Sequence, residues 1–242
     1  MGKKELIDNY SISTGLPHGN SKVVLIDCMD TIVARDVSLD SLLSIWANKV
    51  GKEFDLFSKY LLYYRREVVH STMHNTVPID VIYGEIFEQC SYFDLIESCR
   101  KEKFIERAHQ IELEIELHHQ HLIEDTISFL REQKKKGVSV YCVSDFRLSA
   151  SDIMNFFIDK GVGDLFSGVF SSCDVGKTKE EGGLYSFVLD SIKKDSSECV
   201  MIGDNFNSDC VNAGKNGIKS YWLKNNRHSV LYLMKDVFYR LF

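Results

Sequence analysis

The chain has 242 residues, 44% hydrophobic and 26% charged, which suffices for one sizeable core or a core with a smaller companion and excludes a disordered chain. The formal net charge is -6, and this acidic balance argues against broad nucleic-acid or anionic-membrane binding, since both need a cationic surface. No run approaches roughly 18 apolar residues, so no membrane span is expected.

Residues 1–20 are polar, end in the turn-rich GLPHGNS, and read as a loose leader. They lack the apolar h-region of a secretory signal, and Leu6 stands where a myristoylation signal needs Ser or Thr, so a cytoplasmic protein is expected. The seven cysteines, Cys28, Cys90, Cys99, Cys142, Cys173, Cys199 and Cys210, are odd in number and form no CxxC pair. They read as reduced thiols, several inside apolar runs.

Next comes VVLID, Val23 to Asp27, an apolar run ending at a carboxylate and predicted as a buried strand. From about 38 to 136 the pattern is helical: SLDSLLSIWANKVG, FDLFSKYLLYYRREVVHS and PIDVIYGEIFEQC carry apolar residues at three- and four-residue spacing. Ser38, Asp55 and Pro78 read as helix starts, and Gly51 and NTVP as breaks. KEKFIERAHQIELEIELHHQHLIEDTISFLREQKKKG reads as one long charged helical segment. After Gly137 strand and helix alternate: VSVYCVS, SASDIMNFFIDKG, FSGVFSS, GGLYSFVLDSIKK, ECVMIGD, NSDCVNAGKNG, IKSYWL and a final helix HSVLYLMKDVFYRL. Such alternation implies right-handed βαβ units. The expected fold is α/β, a Rossmann-like, doubly wound parallel sheet built from residues 21–35 and 119–242, with an all-helical domain, 36–118, inserted.

Two apolar strands end in acids, Asp27 and Asp204; a third ends at Ser144 beside Asp145; Lys179 follows the FSGVF strand. In open α/β sheets ligands bind beyond the carboxyl ends of the strands. Paired carboxylates suit a hard cation such as Mg2+, and a hydroxyl and an ammonium suit phosphoryl oxygens. A carboxylate held there can attack phosphorus and form an acyl phosphate, with catalysis supplied by positioning and charge neutralisation.

The order DCMDT, VSD, K-x-x-G, GDNFNSD resembles the haloacid dehalogenase superfamily over residues 23 to about 223, with the helical block in the place of its helical cap. The resemblance implies Asp27 as nucleophile, Ser144 as phosphoryl-binding hydroxyl and Lys179 as charge stabiliser. It also implies a Mg2+ site formed by Asp27, the Met29 carbonyl and Asp204, with Asp209 in support. DxxDT followed by AR, SDF-x-L and GKTKEEGGLY is similar to a bacterial subgroup associated with surface-polysaccharide glycosyltransferases. One position departs from the family pattern. The acid that normally protonates the leaving group falls at Met29, and Asp30 stands where the family has Gly, with Thr31 in register.

Other residues have competing readings. Lys177 is a solvated charge if Lys179 takes the catalytic place, and Asp145 either lines the pocket or caps the helix near Ser149. His118, His119 and His121 resemble a metal cluster but read as a solvated helix face, since 119 does not share the side of 118 and 121. Arg35, Arg65 and Arg66 are candidates for gripping an anionic substrate, against ordinary ion pairs. The expected function is a Mg2+-dependent phosphatase acting on a small phosphorylated metabolite, with no nucleic-acid or membrane partner. The alternatives are a phosphotransferase, a phosphonate- or halide-cleaving hydrolase, or a weak phosphate-binding scaffold beside a glycosyltransferase. A phosphotransfer receiver domain is disfavoured, because Lys179 precedes the GDN strand and a large insertion follows the first strand.

Overall fold

The computed structural model describes residues 22–71 and 76–223. The leader and the final helix expected from sequence lie outside the described residues.

In chain order the elements are β1 (Val23–Ile26), β2 (Val33–Arg35), α1 (Leu39–Phe54), α2 (Ser58–Ser71), α3 (Ile79–Tyr92), α4 (Lys101–His119) and β3 (Gln120–Leu122). Then come α5 (Glu124–Lys135), β4 (Ser139–Ser144), α6 (Ala150–Asp159), β5 (Gly168–Ser171), the single turn α7 (Ser172–Val175) and α8 (Gly183–Ile192). β6 (Cys199–Gly203), a π-helix (Phe206–Asn212) and β7 (Lys219–Trp222) complete the series. The described chain divides into two compact units, 22–34 with 122–223, and Arg35–His121. The short strands β2 and β3 pair, and the division runs through both.

The first unit holds a five-stranded sheet in the order β5-β4-β1-β6-β7, every neighbouring pair parallel. β1 and β6 are buried along their whole length, as strands covered on both faces must be, which is why they are continuous apolar runs rather than alternating ones. Val23, Leu25, Val143, Leu184, Tyr185, Val188 and Met201 form one core cluster of the sheet. The register Ile26↔Cys142 and Ile26↔Ile202 brings the ends of β1, β4 and β6 to one edge.

The second unit packs α1 against α2 and α4, α2 against α3, and α3 against α4. Its core is aromatic. Trp46 and Tyr83 stack with centroids 5.2 Å apart, and Phe54, Phe87 and Phe104 pack edge-on or tilted. The Trp46 indole donates to the Ala108 carbonyl at 3.0 Å, so its one polar atom is satisfied. Arg65 is buried in this core. Its Nη2 donates to both carboxylate oxygens of Glu112, at 3.2 and 3.1 Å, and Glu112 also accepts from the Tyr83 hydroxyl. Among the described residues Arg65 Nε and Nη1 find no acceptor; the guanidinium sits instead over the Trp46 and Tyr83 rings, 5.9 and 5.4 Å from their centroids.

Four expectations change. The long charged segment is two helices, because Gln120–Leu122 forms β3. Asp36 N–H donates to the His119 carbonyl at 3.0 Å, and His119 Nδ1 lies 2.8 Å from Asp36 Oδ1. These tertiary pairs override local helix propensity, and they make His119 a buried side chain rather than part of a solvated face. Asp55 ends α1 rather than starting α2: it is the left-handed C-cap, at φ 57°. Gly51 does not break α1 but lies within it, where an added Cβ would meet the Leu56 carbonyl oxygen at 2.6 Å.

Arg65→Ala leaves the Glu112 carboxylate and the Tyr83 hydroxyl without their cation. The expected loss is on the order of 3–5 kcal/mol of stability, read as a lower urea midpoint; Arg66→Ala, which removes only an exposed pair with Asp40, is expected to shift the midpoint little.

Candidate active site

β1 ends one residue before Asp27, whose amide continues the strand ladder by donating to the Ile202 carbonyl at 2.9 Å. The chain then turns tightly. The Cys28 carbonyl accepts from both Ile32 and Val33, Asp30 N–H donates to Val33 at 2.7 Å, and Asp30 takes the left-handed conformation at φ 57°. Met29 lies in this turn, bridged to Val33. Ser144 is the last residue of β4 and is buried.

β6 ends at Gly203, followed by Asp204 and the π-helix that carries Asp209. Asn205 caps this helix, its Oδ1 accepting from the amides of Asn207 and Ser208 at 3.1 and 3.2 Å. Asp209 is fully buried. Its carboxylate accepts from the Asn205 amide at 3.0 Å and the Ser208 hydroxyl at 3.2 Å. It lies so close to the backbone of β6 that a Cβ on Gly203 would meet Asp209 Oδ2 at 2.2 Å. Only glycine permits that approach.

Lys179 is the one cation whose ammonium lies among these acids in the described residues. It is 2% exposed and donates from Nζ to Asp27 Oδ1 and, at 2.7 Å, to Asp209 Oδ1. Lys177, its rival by sequence, is exposed. The carboxylates of Asp27, Asp204 and Asp209 offer oxygens all within 4.8 Å of one another. Thr31 Oγ1 approaches Asp204 Oδ1 at 3.4 Å, and the Trp222 indole donates to the Asp204 carbonyl at 2.7 Å.

The electrostatics follow from this crowding. Burial, with repulsion from Asp209 and Asp204 and against the attraction of Lys179, raises Asp27 to about 7. Burial, with Asp30 and Asp209, raises Asp204 to about 6. Burial disfavours the Lys179 ammonium, yet Asp27 and Asp209 outweigh it and hold the group charged well above the ordinary lysine value. The cluster therefore keeps more carboxylate than one ammonium can neutralise. Its donors are carboxylate oxygens from the end of β1, the end of β6 and the π-helix, and they fit Mg2+, a hard cation that takes one or two carboxylates and keeps further positions for water and phosphate.

The structure thus brings together Asp27, Lys179, Asp204 and Asp209, with Asp30 close enough to Asp204 to disfavour its charge. Asp145 does not cap α6, which has its own capping box of Ser149 and Asp152. The Asp145 carboxylate instead accepts the backbone amides of Lys179 and Glu180. Arg35, Arg65 and Arg66 each pair with an acid of the helical unit, Glu116, Glu112 and Asp40. Arg65, expected as a substrate grip, is instead part of that unit's core. Gly203, Asn205, Ser208 and Thr31 escaped the sequence reading as site residues. A glycine directly before the second strand-end acid was the available signal.

A family model of haloacid dehalogenase-like hydrolases matches residues 22–214. Among solved structures, the chain resembles a 2-haloacid dehalogenase from Pseudomonas syringae pv. Tomato DC3000, with a TM-score of 0.65 and 15% identity over 91% of this chain and 99% of that one. It resembles a HAD phosphatase from Thermococcus onnurineus, with a TM-score of 0.58 and 19% identity over 86% and 89%. It also resembles the HAD-hydrolase YfnB from Bacillus subtilis, solved bound to magnesium, with a TM-score of 0.55 and 14% identity over 86% and 89%. At these identities the likeness is one of fold. No curated protein matches the chain.

The raised Asp27 and Asp204 set the sign of a pH effect. Without metal, the folded protein holds protons between about 4 and 7 that the unfolded chain has released, so stability falls as pH rises through that window. Thermal melts of chelator-treated protein should give a lower Tm at pH 7.5 than at pH 5.5. Asp27→Asn should flatten that slope, and millimolar Mg2+ should raise the Tm of the wild type most at pH 7.5.

Proposed function

The chain belongs to the haloacid dehalogenase-like hydrolases, and from that premise we propose that this enzyme is a magnesium-dependent phosphatase of small phosphorylated metabolites with Asp27 as nucleophile. The observation that carries the reading is the buried Lys179 ammonium, held between Asp27 and Asp209 at the edge where the strands end. A nucleophilic carboxylate must approach a phosphoryl group that is itself anionic. A fixed cation beside that carboxylate lowers the repulsion and compensates charge on the equatorial oxygens as the transition state forms.

In this reading Asp27 attacks phosphorus, the bond to the leaving oxygen breaks, and an aspartyl phosphate forms. Water then attacks the phosphorus, releasing phosphate and restoring Asp27. Ser144, at the end of β4, supplies a hydroxyl to the phosphoryl oxygens. Asp27, the Met29 carbonyl, Asp204 and Asp209 would hold Mg2+. When bound, the ion supplies charge neutralisation at the phosphoryl oxygens. The resemblance of DxxDT, SDF-x-L and GKTKEEGGLY to the polysaccharide-associated subgroup favours a sugar phosphate or a phosphorylated precursor of surface polysaccharide as substrate. A cytoplasmic location accords with seven free thiols, five of them buried.

Met29 favours a second reading. A thioether neither gives nor takes a proton at neutral pH, and this position normally serves as general acid and base, typically worth roughly 100- to 10,000-fold. A halide or a stabilised carbanion leaves without that proton, so a halide- or phosphonate-cleaving hydrolase needs no acid there. Asp30, the nearest candidate replacement, is held in the left-handed turn, and its charge bears on Asp204.

Release of phosphate from a panel of phosphate esters with Mg2+ tests the reading. Turnover should vanish with excess chelator and in Asp27→Asn. Cleavage of p-nitrophenyl phosphate should far exceed that of alkyl phosphates, and Met29→Asp should narrow the gap. If Asp30 takes the proton-transfer role instead, Asp30→Asn removes most turnover and the leaving-group dependence is shallow. Full activity in Asp27→Asn would refute the mechanism.

A further inference from the structure

We propose that Asp145 is the positioning residue of the Lys179 loop, a carboxylate anchor that fixes the backbone from which the ammonium reaches Asp27 and Asp209. The activity readout below rests on the phosphatase reading; the other two readouts do not.

The geometry is specific. Asp145 directly follows Ser144 at the end of β4. Its Oδ1 accepts the Lys179 amide at 2.8 Å, while Oδ2 accepts the same amide at 3.1 Å and the Glu180 amide at 3.3 Å. On the other side of the loop the Asn212 side chain donates to the Glu180 carbonyl. Asn212 is the last residue of the π-helix that carries Asp209. The loop is therefore tied at once to the strand that presents Ser144 and to the helix that presents Asp209. Its own turn is closed by Gly182 N–H on the Lys179 carbonyl at 2.9 Å and by Glu181 N–H on Thr178 Oγ1 at 3.0 Å.

This anchoring matters because of the chemistry of lysine. The ammonium rides on a flexible four-carbon stem with about 2 kcal/mol of rotamer entropy. Bridging two carboxylates in a buried site demands that its backbone not drift, and a displacement of about 1 Å can cost on the order of 100-fold in rate. The two adjacent amides use both carboxylate oxygens, Lys179 on Oδ1 and Oδ2 and Glu180 on Oδ2. An asparagine keeps one oxygen and puts an NH2 donor where the other accepted, facing an amide that is itself a donor. The negative charge also adds to the field that keeps Lys179 protonated. An alanine would leave the Lys179 amide, in a residue 2% exposed, without its acceptor.

The test uses the full chain as wild type, Asp145→Asn and Asp145→Ala. Amide exchange at Lys179 and Glu180 is measured, as is modification of Lys179 by trinitrobenzenesulfonate, followed by peptide mass spectrometry. Turnover of p-nitrophenyl phosphate with Mg2+ supplies kcat and KM. In Asp145→Ala, exchange at the two amides should rise about tenfold or more while β1 and β6 stay protected. Lys179 should become reactive, and kcat should fall roughly 10- to 100-fold with KM within about threefold. Asp145→Asn should lie between the two on every readout, and it decides the matter by itself if the alanine variant does not fold. Exchange and labelling at Lys179 equal to wild type would overturn the proposal. A parallel loss of protection in β1 and β6 would overturn it too, since Asp145 would then be a general stabiliser. If wild type releases no phosphate from any ester, the phosphatase reading fails, while exchange and labelling still judge the anchor.

Discussion

A single buried ammonium carries the electrostatics of the acidic cluster in the sheet unit. Lys179 Nζ lies between Asp27 and Asp209, with almost no solvent to screen any of the three. Removing a lysine from water is costly, and so is removing a carboxylate; the arrangement holds because each charge finds its partner at hydrogen-bond distance. Yet the balance is unequal. Burial raises both Asp27 and Asp204, and neighbouring carboxylates add to it, Asp209 and Asp204 for the first and Asp30 and Asp209 for the second. A site that is stable and still short of positive charge is suited to receive a cation and an anionic substrate together.

The sheet makes this cluster possible by ending its strands in one place. β1, β4 and β6 are paired in register, so Asp27, Ser144 and Asp204 leave the sheet at its carboxyl edge. No strand supplies Lys179 and Asp209. They come from a loop and a π-helix, whose positions depend on side-chain hydrogen bonds: Asn205 at the start of the π-helix, Asn212 and Asp145 across the Lys179 loop. Backbone pairing places Asp27, and side chains place the groups that govern its charge.

That division explains what could be read from the amino-acid order. The parallel sheet was legible because its central strands are buried on both faces and so appear as apolar runs ending in acids. Asp27 and Asp204 stood out for the same reason, at run ends, and Lys179 through a K-x-x-G spacing to Gly182 that resembles the family's. What escaped reading was decided by partners distant in sequence. Asp145 binds amides 34 and 35 residues away, Arg65 binds an acid 47 residues away, and His119 meets Asp36 across 83 residues. Propensity and periodicity carry no trace of such pairs, so Arg65 read as a substrate grip or an ordinary ion pair and Gln120–Leu122 as part of a helix.

Gly203 has a consequence beyond this one molecule. Its missing side chain is the space that the Asp209 carboxylate fills, since any Cβ there would overlap Oδ2 and Cγ at 2.2 and 2.4 Å. Position 203 therefore works as a filter on genome sequences. A chain that carries both strand-end acids but a larger residue at this point cannot seat a carboxylate in the place of Asp209 against the strand. However well its other motifs align, it should be sorted with proteins that have given up this geometry.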